Sequence, residues 1–371
     1  MNVFFFFISC MILFSCTPTP KNLETVLVND KQVLVLDESE VTEKRKVPIS
    51  ELVDGYELIP FEDSQNAYFK MQWMYFTENY ICVRQENGPV KLFDKEGRFV
   101  HNVGDEGHGP GEYISAYDVL LDEKSQSIYV APFIGADILR YNFQGDYTGK
   151  LTPMAQVTKG RLFLPSDSVL SLVHLCFLES SDKFTAADMV LSDPKKTSYV
   201  YNEALAVRLV NEKNEGVGFN QEVFSYRNTD RFAFYITSSD TLYHYDHQKD
   251  EMQAVFTMKL EKESDFFLVN ELPHHYLTHI VNNSIILTEK ETGKSCQAEF
   301  INDYIGNTPI FPRIQDGYLF MNMDPETMTE ELKKTLESGD YPEGQEEHLR
   351  KLLELFASAK NDVLFRAKLK K

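Results

Sequence analysis

The chain has 371 residues, 43% hydrophobic and 13% aromatic, which is ample material for a large core and excludes a disordered chain. Its 57 acidic against 37 basic residues give a formal net charge of −20 with no long basic run, a balance that a polyanion repels, so nucleic acid is excluded as a partner. This length calls for either two domains or one large domain assembled from repeats.

The chain opens MNVFFFFISCMILFSC. The apolar run from Val3 to Phe14 is shorter than the roughly 20 residues of a spanning helix, and it closes on Ser15 and Cys16 in the manner of a secretory signal. Leu13-Phe14-Ser15-Cys16 resembles a bacterial lipobox. That resemblance implies removal of residues 1–15 and a diacylglycerol on Cys16, the membrane being reached through this anchor. One departure stands out: no Lys or Arg precedes the apolar run. The Pro- and Thr-containing segment TPTPKN carries no hydrophobic pattern, so residues 16–30 are expected to be a flexible tether. Once Cys10 leaves with the signal and Cys16 is acylated, Cys82, Cys176 and Cys296 remain. Three widely spaced cysteines in strand-like contexts make no disulfide framework and are expected to be buried thiols.

From residue 31 on, short runs rich in Val, Ile, Leu, Tyr and Phe alternate with turn clusters, as in a many-stranded β-protein. PVKLFDKEGRFVHNVG (89–104), DILRYNFQGDYTGKLT (137–152) and DTLYHYDHQKDEMQAVF (240–256) share one plan: an apolar strand, an Asp or Asn, a Gly or polar turn, and a second strand. Each is preceded by another apolar run, which gives units of about 40–50 residues with four strands, the signature of propeller blades. The expected fold is all-β, a six-bladed β-propeller over 31–371. A strand near 31–37 or 56–61 is expected to complete the last blade and close the ring. Asp324-Pro325 reads as a helix cap and first turn, and Leu349, Leu352, Leu353 and Phe356 recur at helical spacing, so a helical insertion is expected at about 325–359.

ISELVDGYELIPFED (49–63), GDEGHGPGEY (104–113), SSDTLYHYD (238–246) and NDVLFRAKLK (361–370) resemble the six-bladed β-propeller lipoproteins of Bacteroidota-type cell envelopes. The glycine-rich element is the specific motif, and Gly104, Gly107, Gly109, Pro110, Gly111, Glu112 and Tyr113 fill it without a gap. The resemblance implies a propeller on a lipid anchor and brings no catalytic residues with it.

The glycine-rich element has rival readings. A phosphate loop needs Gly-Lys-Ser/Thr and a following helix, whereas Glu-Tyr-Ile and a strand follow here. Glycines suit a tight passage between blades. The second reading places the element at the mouth of the central channel, where His108, Glu112, Tyr113 and Tyr117 would meet a ligand, with Phe133 beside them. His274, His275 and His279 lack the sequence context of a zinc helix, and His244 and His247 read as solvated turn residues, so no metal or other cofactor is expected. Neither a sialidase Asp box nor a Gly-x-Ser-x-Gly elbow is present. The functional expectation is a non-enzymatic binding or scaffold module for a protein or glycan partner, held at the outer membrane on the periplasmic side. The alternative is a carbohydrate-active lyase or hydrolase with its site in the central channel.

Overall fold

The computed structural model describes residues 23–28, 31–262, 266–281, 284–339 and 341–371. The signal segment and Cys16 lie outside the described residues. Six four-stranded antiparallel sheets form the blades of a propeller. In each, strands A to D run from the axis outward. Blade 1 is Met71–Phe76, Tyr80–Gln85, Val90–Asp94 and Phe99–Val103; blade 2 is Ala116–Asp122, Ser127–Pro132, Ile138–Asn142 and Tyr147–Leu151. Blade 3 is Arg161–Ser166, Val169–Val173, Ala186–Val190 and Thr197–Val200; blade 4 is Val223–Phe224, Phe232–Ile236, Thr241–Asp246 and Glu251–Lys259. Blade 5 is Phe267–Glu271, His275–Ile280, Ile285–Glu289 and Ser295–Asn302. Blade 6 takes Arg313–Gln315, Tyr318–Met323 and Val363–Lys368 from the end of the chain and Glu57–Pro60 from near its start.

Burial follows position in the blade. Strand B of blade 2, packed by neighbouring blades on both faces, is buried over Ser127–Ala131, whereas strand D of the same blade is mostly exposed. The repeated Asp or Asn marks the C–D turn. Asp94 Oδ1 accepts from the Glu96 and Arg98 amides at 3.0 Å each, and Asn142 Oδ1 accepts from Gln144 (3.0 Å) and Asp146 (2.9 Å). These side chains supply the turn's missing acceptors locally, which is why the hairpins are legible in sequence.

Of the two strands considered for ring closure, Glu57–Pro60 does it, pairing antiparallel with Val363–Lys368 and carrying the Glu57–Arg366 ion pair at 2.6 Å. Lys31–Asp37 lies instead parallel to the outer strand of blade 4, and Lys44–Pro48 parallel to that of blade 5. The leading segment therefore runs along the rims of blades 4, 5 and 6, covering free strand edges. Residues 23–28, placed in the tether by sequence, form a strand paired with Lys31–Asp37. Leu23 is buried there with Leu36 and Phe256 in one core cluster, a contact that a tether lacks.

Two helices, α1 (Pro325–Ser338) and α2 (Glu346–Ser358), occupy the B–C connection of blade 6. Asp324 caps α1 by accepting from the Thr327 amide at 2.8 Å, and α1 ends at left-handed Gly339. Leu349, Leu352 and Phe356 of α2 join Val363, Phe365 and Ile305 in one core. Cys82, Cys176 and Cys296 are buried free thiols. Because the strands alternate in direction, A–B and C–D turns gather at one end of the ring, and B–C and D–A connections at the other. The helices share the second end.

Candidate functional site

The inner strands and the A–B connections that follow them bring charged residues together across the axis. Asp118, on strand A of blade 2 and fully buried, accepts from the Leu162 amide and from Arg227 Nη1, both at 2.8 Å. Arg227 reaches the other way to Asp316, Nε to Oδ1 at 2.7 Å, and donates to the Val119 carbonyl at 2.8 Å. Arg161 lies 3.5 Å from Asp118 and donates to the Val223 carbonyl at 2.7 Å. Burial pushes the Asp316 carboxyl above its usual range, against the opposing pull of Arg227. Arg227 itself has φ +52, an uncommon conformation for a non-glycine residue. These side chains fill the throat and leave both carboxylates bonded to cations. They do not form a pair of acids facing one another across solvent, the arrangement glycoside hydrolysis needs.

Tyr117 stands in the throat on the side nearer the B–C connections. Its hydroxyl donates to Glu222 at 2.5 Å and accepts from the Val223 amide at 3.2 Å, while Arg161 stacks over its ring at 4.2 Å. Lys159 is buried beside it, bound to Glu222 and to the carbonyls of Phe219 and Gln221 at 2.7 Å each.

The glycine-rich element lines a cleft with Phe133, whose ring lies 5.9 Å from that of Tyr117. It connects blade 1 to blade 2, and its tip packs on the outer strands of blade 2, where the Tyr141 hydroxyl donates to the Gly111 carbonyl at 2.9 Å. Gly104 and Gly111 adopt φ +71 and +77, and a Cβ on Gly111 would come within 2.7 Å of the Tyr147 ring. Glu112 folds back to accept from the Gly109 amide at 2.8 Å. Tyr113 is buried, donating to the Val103 carbonyl (2.5 Å) and accepting from the Val90 amide (2.9 Å). His108 is exposed. His108, Glu112 and Tyr113 line a cleft of about 700 Å³ against residues 132–137, with Phe133 in its wall, and Tyr117 is not among the lining residues.

A second cavity opens at the channel mouth between blades 4, 5, 6 and 1. It measures about 340 Å³ and is lined by Trp73, Phe224, Tyr226, Leu268, Leu277, Phe311 and Ile314, with Asn270, His279 and Arg313 as its polar members. Phe224 stacks on Tyr226, and Trp73 lies 6.2 Å from the Tyr226 ring. The indole N–H is already given to Gln315 Oε1 at 3.1 Å. Asn270 is likewise spent, donating to the Ile314 carbonyl (3.1 Å) and accepting from Asn228 (2.8 Å). Burial pushes the Tyr226 hydroxyl up to about 12, so it remains protonated at neutral pH. Sequence reasoning missed this pocket. Its residues are far apart in the chain, and the one signal was that Trp73 is the only tryptophan.

Sequence reasoning also misplaced His244. It sits on strand C of blade 4, where the alternation turns its ring inward, and the turn begins only at Asp246. Its Nε2 lies 2.6 Å from Glu271, which also pairs with Lys290 at 2.6 Å, and Arg231 approaches its Nδ1 at 3.3 Å. His275 and His279 lie on strand B of blade 5. Among the described residues, no group of three or more His, Cys, Asp or Glu side chains is arranged to hold a metal ion.

The ring of six blades, the filled throat and the open aromatic pocket define a six-bladed β-propeller with an aromatic recess on one face. The chain belongs to the family described as "Domain of unknown function (DUF4934)", whose model matches residues 32–278. No curated protein matches the sequence. Among solved structures, it is similar to a "Putative exported protein" from Bacteroides fragilis NCTC 9343, at 15% identity and TM-score 0.62, over 91% of this chain and 99% of that one. A member of the duf4221 family from Bacteroides vulgatus is similar at 11% identity and TM-score 0.46, over 86% of this chain and 98% of that one. The first of these shows the shared fold. No helix among the described residues is long and apolar enough to cross a membrane.

Proposed function

We propose that this protein is a lipid-anchored envelope module that docks a protein partner on the face carrying the B–C and D–A connections, and that no reaction takes place in its channel. The observation that carries the reading is a one-sided distribution of apolar surface. Thirteen large hydrophobic side chains are exposed among the described residues; ten lie in B–C or D–A connections, Ile114, Met154, Tyr201, Phe219, Phe266 and Phe311 among them, and none in A–B or C–D turns. Scattered single residues would be ordinary, but concentration on one face around a pocket is the mark of an interaction surface. The bonded carboxylates of the throat weigh against the carbohydrate-active alternative.

The address rests on the lipobox-like Leu13–Cys16 segment and on the exported relative, which together favour acylation of Cys16 and the outer membrane, with the propeller in the periplasm. Metabolic labelling with a palmitate analogue tests the anchor: label is expected on the wild type and absent from Cys16→Ala. Docking is tested in living cells by a photoreactive phenylalanine analogue at Phe311, with Asp250 on the opposite face as the control position. A discrete adduct from Phe311 alone is expected; adducts from both positions, or from neither, would sink the reading.

A further inference from the structure

The aromatic pocket does not end at Phe311. His279, Ile285 and Phe311 are shared with a groove of about 610 Å³ that runs beside Lys44–Pro48, the strand added to the rim of blade 5. Phe311, 54% exposed, stands edge-on to His279 with ring centroids 4.8 Å apart and divides the two spaces. The charged residues lining pocket and groove are Lys44, Arg45, Lys46 and Arg313 against one carboxylate, Glu299. Arg45 is held by Glu51 at 2.9 Å, whereas Lys44, Lys46 and Arg313 have no ion-pair partner among the described residues. In a chain of net charge −20, three unpaired cations beside an apolar pocket form a local field of the opposite sign.

We infer that pocket and groove form one site for an extended acidic peptide segment that buries a single large apolar side chain between Trp73, Tyr226 and Phe311 and lays its carboxylates along Lys44, Lys46 and Arg313. This rests on the docking reading above and names the chemistry of the partner. The lining favours a peptide side chain over a glycan. A sugar ring buries hydroxyl groups that each need a partner, and with the Trp73 indole and the Asn270 amide bonded within the protein, His279 and Arg313 are the polar side chains left to meet them in a lining that is otherwise mostly apolar and aromatic. An apolar side chain asks for no such partner, and its aromatic surroundings are those of an interface anchor. Carboxylates set along the basic groove steer the encounter and fix its register.

Trp73, the only tryptophan, lies inside the proposed site and reports on it directly. The experiment titrates the full-length protein with three probes, following Trp73 emission: the peptide Glu-Glu-Glu-Leu-Phe, its Gln-Gln-Gln-Leu-Phe counterpart, and an oligogalacturonate. The acidic peptide is expected to shift and saturate the emission, to bind at least tenfold more tightly than the glutamine peptide, and to weaken with added salt. Lys44→Glu with Lys46→Glu, and separately Arg313→Glu, are expected to raise its Kd at least tenfold with thermal unfolding unchanged, since these side chains are exposed. Equal binding of the two peptides would overturn the acidic partner while leaving the docking face intact. Saturation by the oligogalacturonate alone, or no response to any probe, would overturn the inference, and the crosslinking at Phe311 reports on the docking reading independently.

Discussion

Arg227, in the A–B connection of blade 4, is bound to Asp118 on the inner strand of blade 2, Nη1 to Oδ2 at 2.8 Å, while its Nε holds Asp316 of blade 6 at 2.7 Å. One side chain thus ties three non-adjacent blades across the axis. Removing one member of a buried pair strands the other charges, so Arg227→Met is expected to cost about 3–5 kcal/mol of unfolding free energy. Exposed His108→Ala is expected to stay within about 0.5 kcal/mol. Urea denaturation of the two variants checks both values.

The glycine-rich element supplies a second test. Gly111→Ala combines a left-handed backbone with a Cβ only 2.7 Å from the Tyr147 ring. A cost of at least about 2 kcal/mol is expected from strain and overpacking together. At Gly339, also left-handed but with nothing within 4 Å, alanine should cost only about 1 kcal/mol. Equal urea midpoints for the two variants would show that the element is looser than its contacts.

His174 makes a pH prediction. Burial lowers its pKa to about 4, against the hydrogen bond to the Phe184 carbonyl, 2.7 Å from Nε2. The unfolded chain protonates this ring near pH 6.5 and the folded one only near pH 4. Between those values the unfolded state binds the extra proton, so stability is full above pH 6.5 and falls progressively on acidification to about pH 4. The loss attributable to this residue is about 3 kcal/mol. His174→Gln should flatten that part of the stability profile, and an unchanged slope would place the titration elsewhere.

Ring closure makes a fourth. A chain beginning at residue 62 lacks Glu57–Pro60 and leaves Val363–Lys368 without its outer partner. It is expected to lose cooperative thermal unfolding and to associate through the open edge. A chain beginning at residue 38 gives up only the hairpin on the rim of blade 4 and should melt at lower temperature yet cooperatively. Calorimetry and light scattering distinguish the two behaviours.

The architecture was legible because its signals are local. Asp94 and Asn142 bond to the turns they begin, Asp324 and Pro325 start α1 within a few residues, and the β alternation repeats within each blade. Sites built across the ring give no local signal. Trp73, Tyr226 and Phe311 come from three different blades or connections, and nothing in their neighbouring residues says that they meet. The choice between Lys31–Asp37 and Glu57–Pro60 as closing strand was open for the same reason, since pairing across about 300 residues is settled by the ring as a whole. The glycine-rich element was legible as a turn because left-handed backbone is written in glycine itself. Its position by the outer strands of blade 2 depended on where the blade carried it.

The most direct test of the docking face is amide hydrogen exchange measured on the protein in native cell-envelope fractions and again after purification. Protection of connections 201–222 and 303–312 in the envelope fraction, lost on purification while turns 95–98 and 247–250 stay unchanged, is the predicted result. Identical exchange in both preparations, or protection confined to the turns of the opposite face, would contradict it.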